Sequence, residues 1–148
     1  MDAGQGDGGP LILLIDDDPD CRRDLGEALI ACGFRPLAAE SGERGLKLLE
    51  HHDIAAVITD WQMPGMDGLA VAEAVRLSRC GTPVVLITGS PDWRGAAETA
   101  RRHGVRRCLR KPLNLRELMS CLGGVLYNRN QGRSAAGALR ELAEAAGV

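Results

Sequence analysis

Aromatic residues are scarce in this chain: one Phe, one Tyr and two Trp, or 3% of 148 residues. Any core it builds must be aliphatic. Long apolar runs are missing too. None approaches the roughly 20 residues that a bilayer-crossing helix needs, so no membrane span is expected. Neither sign of charge dominates. The formal net charge is -2, which argues against a nucleic-acid-binding protein. The five cysteines, Cys21, Cys32, Cys80, Cys108 and Cys121, contain no C-x-x-C pair. That removes the usual zinc and redox motifs. Their odd count and wide spacing do not suit a secreted disulfide framework. They read as small buried hydrophobes in a reducing compartment. Met1 to Pro10 lacks the basic start of a secretory signal. The cytoplasm is the expected location.

What is present is an ordinary globular mixture, 45% hydrophobic and 26% charged. The length suits one domain that buries a core without metal or disulfide staples. Residues 1–10, with Gly4, Gly6, Gly8 and Gly9, read as a flexible leader. Leu11 to Ile15 is a continuous apolar run that stops at Asp16, Asp17 and Asp18. A run of this kind predicts a strand buried on both faces. Asp18-Pro19 resembles an N-cap followed by proline at the first helical position. Cys21, Leu25, Leu29 and Cys32 follow at helical spacing, and Gly33 closes the helix.

The alternation then repeats. Phe34 to Ala38 is a second strand, and Gly42 to Glu50 a second helix with Leu46 and Leu49 inward. Ile54 to Thr59 is a third strand, rich in β-branched residues and ending at Asp60. A loop with Pro64 and Gly65 leads to a helix from Gly68 to about Ser78. Val84 to Ile87 is a fourth strand, ending at Thr88, and Ser90-Pro91-Asp92 starts a helix. Val105 to Leu109 is a fifth strand, leading to Lys111-Pro112. Asn114 caps a last helix through about Tyr127, with Leu115, Leu118, Met119 and Leu122 on one face. Residues 128–148 form a tail in which Leu139, Leu142 and Ala146 mark a short amphipathic helix. Five strands alternating with five helices predict an α/β fold, a parallel sheet covered on both faces. In such folds ligands bind beyond the carboxyl ends of the strands. The polar residues Asp16, Asp17, Asp60, Thr88 and Lys111 stand at those ends.

Each of these residues has an ordinary reading in isolation: a helix cap, a turn former, a strand-end threonine, a solvated lysine. Together they occupy one sheet edge in an order that makes a single site. Converging carboxylates repel, and a cation compensates them unless they share a proton. Oxygen ligands suit magnesium, which takes few carboxylates and keeps several waters. Asp16 and Asp17 would hold it and Asp60 would share it. Asp60 is then the natural nucleophile toward phosphorus, giving an aspartyl phosphate. Lys111 can neutralise part of the transferring group's charge, and Thr88 can donate its hydroxyl to another oxygen.

The stretches Leu-Leu-Ile-Asp-Asp-Asp-Pro (13–19), Ile-Thr-Asp-Trp-Gln-Met-Pro-Gly-Met-Asp-Gly (58–68), Leu-Ile-Thr-Gly (86–89) and Leu-Arg-Lys-Pro (109–112) carry a family resemblance. The sequence resembles the receiver domain of bacterial response regulators, over residues 11–127. The resemblance implies a flavodoxin-like, doubly wound sheet of order 2-1-3-4-5. It implies that Asp60 takes a phosphoryl group from a phosphohistidine on a histidine kinase or phosphotransfer protein. It also implies a magnesium site completed by the backbone carbonyl of Gln62, a Thr88 that swings toward the phosphoryl group, a Lys111 that contacts it, and a cis Lys111-Pro112 bond. It implies no turnover enzyme, no nucleic-acid contact by this domain, and a monomer or phosphorylation-dependent dimer acting on a downstream protein.

The chain departs from the family three residues before the lysine. There the family usually has a ring that rotates, and this sequence has Cys108. That favours, as an alternative, a phosphorylation-independent interaction module. A haloacid-dehalogenase-like hydrolase is a second rival, formally met by the Asp16 and Asp18 spacing. It lacks its late acidic pair, since Gly89-Ser90-Pro91 stands in that place. Gln62 and Ser90, two residues after Asp60 and Thr88, occupy positions that set dephosphorylation in the family. Arg101, Arg102, Arg106, Arg107 and Arg110 read as a solvated face or a docking surface for an acidic partner. His51 and His52 read as solvent-exposed.

Overall fold

The computed structural model describes residues 8–78 and 80–145, with side chains through Asn130. The chain alternates strictly: β1 (Leu11–Ile15), α1 (Pro19–Ala31), β2 (Arg35–Ala39), α2 (Gly42–His51), β3 (Ala56–Asp60), α3 (Gly68–Ser78), β4 (Val84–Thr88), α4 (Trp93–Arg102), β5 (Arg107–Arg110) and α5 (Leu115–Ala145). The strands form one parallel sheet in the order β2-β1-β3-β4-β5. This is the flavodoxin-like arrangement that the sequence motifs imply. Because β3 is placed on the far side of β1 from β2, the order in which strands are added reverses between those two parallel neighbours. Their carboxyl ends open a crevice between them, the usual place for a ligand.

Alternate side chains of the central strands feed two cores. Leu13, Ile15, Val57 and Leu86 pack with residues of α2, α3 and α4. Ile12, Leu14, Ile58, Val85 and Ile87 pack with Leu29 of α1 and with Leu118, Cys121, Leu122 and Val125 of α5. Both are almost wholly aliphatic, as the shortage of aromatics requires. Helix starts follow the expected chemistry. Asp18 accepts from the Asp20 amide at 2.9 Å, with Pro19 at the first helical position. Asp92 caps α4 by accepting from Gly95, and Asn114 caps α5 by accepting from Glu117. Gly33 takes the positive φ of 92° that lets the chain leave α1.

The structure corrects several details. Phe34, Ile54 and Val105 precede their strands rather than opening them, although Ile54 and Val105 are still buried. Three cysteines expected inside are exposed: Cys21, Cys32 and Cys80. Steps of four residues rotate about 40° too far around a helix, so the row from Leu29 back to Cys21 slides off the inner face. Cys32 lies at the cap beyond α1, and Cys80 lies in the loop after α3. Leu115 is 43% exposed, and Cys121 and Val125 share the inner face of α5 in its place.

The largest difference is α5. It does not stop near Tyr127 but runs for 31 residues to Ala145, about 46 Å. No proline interrupts residues 128–145, which are rich in Ala, Arg, Glu and Leu, all good helix formers. Arg129 ties this stretch down. Its Nη1 donates to the carbonyls of Ile54 at 2.6 Å and Ala55 at 2.9 Å, at the opposite end of the sheet from the acidic edge. Gly4 and Gly6 of the expected leader, Ala146, and the side chains of Leu139 and Leu142 lie outside the described residues. The carbonyls of Gly9 and Pro10 accept hydrogen bonds from Arg35. Among the described residues no helix is long and apolar enough to cross a membrane.

Leu118 is fully buried against the second core. Leu118→Ala should lower the unfolding free energy by about 2–5 kcal/mol. Urea denaturation followed by circular dichroism checks this, and a loss well under about 1 kcal/mol would contradict the packing described.

Candidate functional site

Local chemistry places each polar residue at the sheet edge. The apolar run of β1 ends because Asp16 cannot continue into the core. The Asp16 amide still completes the ladder by donating to Ala39 at 3.1 Å. Its Oδ1 accepts from the Asp18 amide at 2.9 Å, which turns the chain toward α1. Arg22, one turn into α1, reaches back to donate to the Asp16 carbonyl at 2.7 Å. This clamp was not legible as a site feature, because Arg22 reads as one more charged residue on a helix. Its spacing of six from Asp16 is the signal that marks it.

Asp60 closes β3. Gly68 lets α3 start directly against it: a Cβ there would lie 2.4 Å from the Asp60 carbonyl oxygen and 2.9 Å from Leu86 Cδ2. No side chain fits that approach. The glycine therefore fixes the loop 61–67 over the site, helped by the Gly68 amide donating to the Trp61 carbonyl at 2.8 Å.

The three carboxylates come together as the motifs imply. One oxygen from each of Asp16, Asp17 and Asp60 lies within 4.8 Å of the others. Asp16 and Asp60 are buried and Asp17 is exposed. Lys111 joins them, its Nζ donating to Asp60 Oδ2 at 3.3 Å. Lys111 is followed by a cis bond to Pro112, and its amide donates to the Thr88 carbonyl at 2.8 Å. Thr88 is buried, and its Oγ1 accepts from the Ser90 amide at 3.0 Å. Gln62 is exposed at the rim.

Electrostatics follow from this crowding. Burial raises the Asp16 carboxyl above its ordinary value, and repulsion from Asp60 and Asp17 adds to that, against the Asp18 amide and Lys111. Burial alone would lower the Lys111 ammonium, but the adjacent Asp60, by charge and by hydrogen bond, outweighs it and the net shift is upward. Two cavities flank the cluster. One of about 460 Å³ is lined by Trp61, Gln62, Thr88 and Ser90 on one side and by Asp92, Gly95, Ala96 and Thr99 on the other. A second, of about 410 Å³, runs from Asp16 and Lys111 along Leu25, Ala28 and Leu113.

The remaining features lie away from the cluster. His51 and His52 are exposed, as are Arg101, Arg102, Arg106, Arg107 and Arg110. Cys108 is half-buried against the first core.

The raised Asp16 gives a pH test in metal-free buffer. A carboxyl whose folded-state pKa is raised contributes stability at low pH that is lost as pH rises through that pKa. Asp16→Asn keeps the oxygen that accepts from Asp18 but removes the charge. The variant should become progressively more stable than the parent as pH rises from the ordinary carboxylate range toward neutrality. Urea titrations at several pH values check this, and a gap that stays constant or reverses would contradict it.

Comparison with known proteins agrees with the geometry. A family model described as the response regulator receiver domain matches residues 12–122. The transcriptional regulatory protein GlrR of Escherichia coli K12 is 35% identical over 118 residues, which is 78% of this chain and 26% of GlrR. The chain thus spans about a quarter of that relative. The probable chemotaxis protein CheY of Rhizobium etli is 29% identical over 117 residues, covering 77% of this chain and 90% of that protein. The response regulator TrrA of Thermotoga maritima, solved in complex with Mg(2+)-BeF, superposes with a TM-score of 0.72 at 29% identity, covering 79% of this chain and 99% of TrrA. With the family pattern matched across both cores and the acidic edge, the chain belongs to the response regulator receiver domain family.

Proposed function

We propose that this domain is a phosphorylation-dependent switch in which Asp60 takes a phosphoryl group from a phosphohistidine on a histidine kinase or histidine phosphotransfer protein, changing how a downstream protein binds. The observation that carries this reading is the convergence of Asp16, Asp17 and Asp60 within 4.8 Å, with Lys111 3.3 Å from Asp60. One ammonium against three carboxylates leaves a strong negative excess, and the donors are all hard oxygens, a set that fits magnesium. Asp16, Asp17, Asp60 and the main-chain carbonyl of Gln62 are the groups that would hold it. When bound, the ion supplies charge neutralisation and orientation at the phosphoryl oxygens.

The chain's own residues supply the rest. A carboxylate oxygen of Asp60 attacks phosphorus while the bond to the histidine nitrogen breaks. The nitrogen keeps that electron pair, and the product is an acyl phosphate. Lys111 meets the charge that spreads over the transferring oxygens. Thr88 Oγ1 accepts from Ser90, so its own hydroxyl hydrogen is available to a phosphoryl oxygen. The cavity beside Gln62, Thr88 and Ser90 offers water a route toward the site. The phosphoryl group is a mark on the protein, and no separate substrate is turned over.

The domain on this reading spans residues 11–127, with 1–10 as a leader and 128–148 as an extension. It acts in the cytoplasm, where phosphohistidine donors work, as a monomer or a phosphorylation-dependent dimer, and without contacting nucleic acid or membrane. The solved TrrA complex, which contains Mg(2+)-BeF, supports a magnesium-dependent site in this fold. A phosphorylation-independent interaction module is the second reading, favoured by the ringless Cys108 three residues before Lys111.

Mass spectrometry after incubation with magnesium and acetyl phosphate separates the two. The parent should gain one phosphoryl group and Asp60→Asn none, while Lys111→Met should slow labelling by about 100-fold. Labelling of Asp60→Asn to the parent's extent would contradict the assignment of the acceptor.

A further inference from the structure

Helix α4 meets β4 and β5 through a narrow face that joins the first core. Its one fully buried residue is Ala100, a single methyl group. Asp92, Gly95, Ala96 and Thr99 border the 460 Å³ cavity beside Thr88, so this face leaves an opening instead of filling it. The first turn is tied down by a different contact. The Arg110 guanidinium lies over the Trp93 ring at 5.1 Å, and Arg94 approaches the same ring at 6.0 Å. Arg110 ends β5, on the same face as Cys108, and the next residue is Lys111. Lys111 is bound at its ammonium by Asp60 and at its amide by the Thr88 carbonyl. A short covalent path therefore runs from the acidic cluster to an arginine stacked on α4.

Cation–π attraction acts within about 6 Å of the ring centroid. From 5.1 Å, a displacement of roughly 1 Å carries Arg110 to the edge of that range and weakens the stack, and Arg94 already stands there at 6.0 Å. Any change at Asp60 that moves Lys111 acts on the peptide unit shared with Arg110. A phosphoryl group, carrying nearly two negative charges, is a large change of that kind. Cys108, lacking a ring, cannot carry such a motion on this face.

We propose that the Trp93–Arg110 stack is a latch that couples the charge state of the Asp60 pocket to the first turns of helix α4. Its natural trigger rests on the reading of Asp60 as phosphoacceptor, but the latch is present in the unmodified protein and is tested there.

Hydrogen exchange of the α4 amides, measured on the full chain in the parent, Asp60→Asn, Arg110→Gln and the double variant, makes the test. Arg110→Gln should speed exchange at residues 93–98 by about two- to fivefold, the factor expected for one exposed cation–π contact. Trp93→Leu, which removes the ring, should do the same. Asp60→Asn should alter exchange at these residues in the parent background and add nothing in the Arg110→Gln background. An equal Asp60→Asn effect in both backgrounds, or none in either, would overturn the latch. A parent labelled by acetyl phosphate at Asp60 with α4 exchange unmoved would overturn it as well. A parent that takes no label counts against the phosphoacceptor reading, and the Asp60→Asn comparison still decides the latch.

Discussion

The arrangement on which the rest depends is an electrostatic conflict built into one sheet edge. Asp16, Asp17 and Asp60 come within 4.8 Å of one another, a separation at which like charges oppose folding unless something offsets them. They are held there because β1 and β3 are hydrogen-bonded neighbours whose apolar side chains fill two cores at once. Hydrophobic burial on both faces supplies the free energy, and the edge absorbs the repulsion. Lys111 offsets part of it at 3.3 Å from Asp60. On the proposed reading, the unmet remainder is what a divalent cation would neutralise, and through it an anionic phosphoryl group would be received.

Supporting residues convert that conflict into fixed geometry. The Arg22 guanidinium holds the Asp16 carbonyl, and Gly68 allows α3 to abut the carbonyl of Asp60. On the other side of the site, α4 joins the first core through Ala100, while a cavity and a stacked arginine border its first turns.

The fold and the five side chains at the edge were legible because each left a physical trace in one dimension. Apolar runs that stop abruptly at Asp16, Asp60 and Thr88 mark strand ends, and the caps Asp18, Asp92 and Asn114 mark helix starts. The misses share a different cause. Cys21 satisfied helical spacing but lies on the flank, because steps of four drift around the helix. The continuation of α5 past Tyr127 rests on helix-forming residues without proline, and Arg129 docks its first extra turn on carbonyls some 75 residues away in sequence, a contact that no local pattern records. The Trp93–Arg110 stack is likewise a tertiary contact between residues that look solvated on their own.

The proposed switch stands or falls with magnesium binding at the acidic cluster. Titrating magnesium into the metal-free protein tests it most directly, with Trp61 fluorescence and urea unfolding as readouts, in the parent and in Asp17→Asn. The expected result is a saturable change in emission and a rise in unfolding free energy that follows magnesium concentration as ligand linkage requires, both lost or strongly weakened in the variant. Identical, magnesium-independent emission and stability in the two proteins would contradict it.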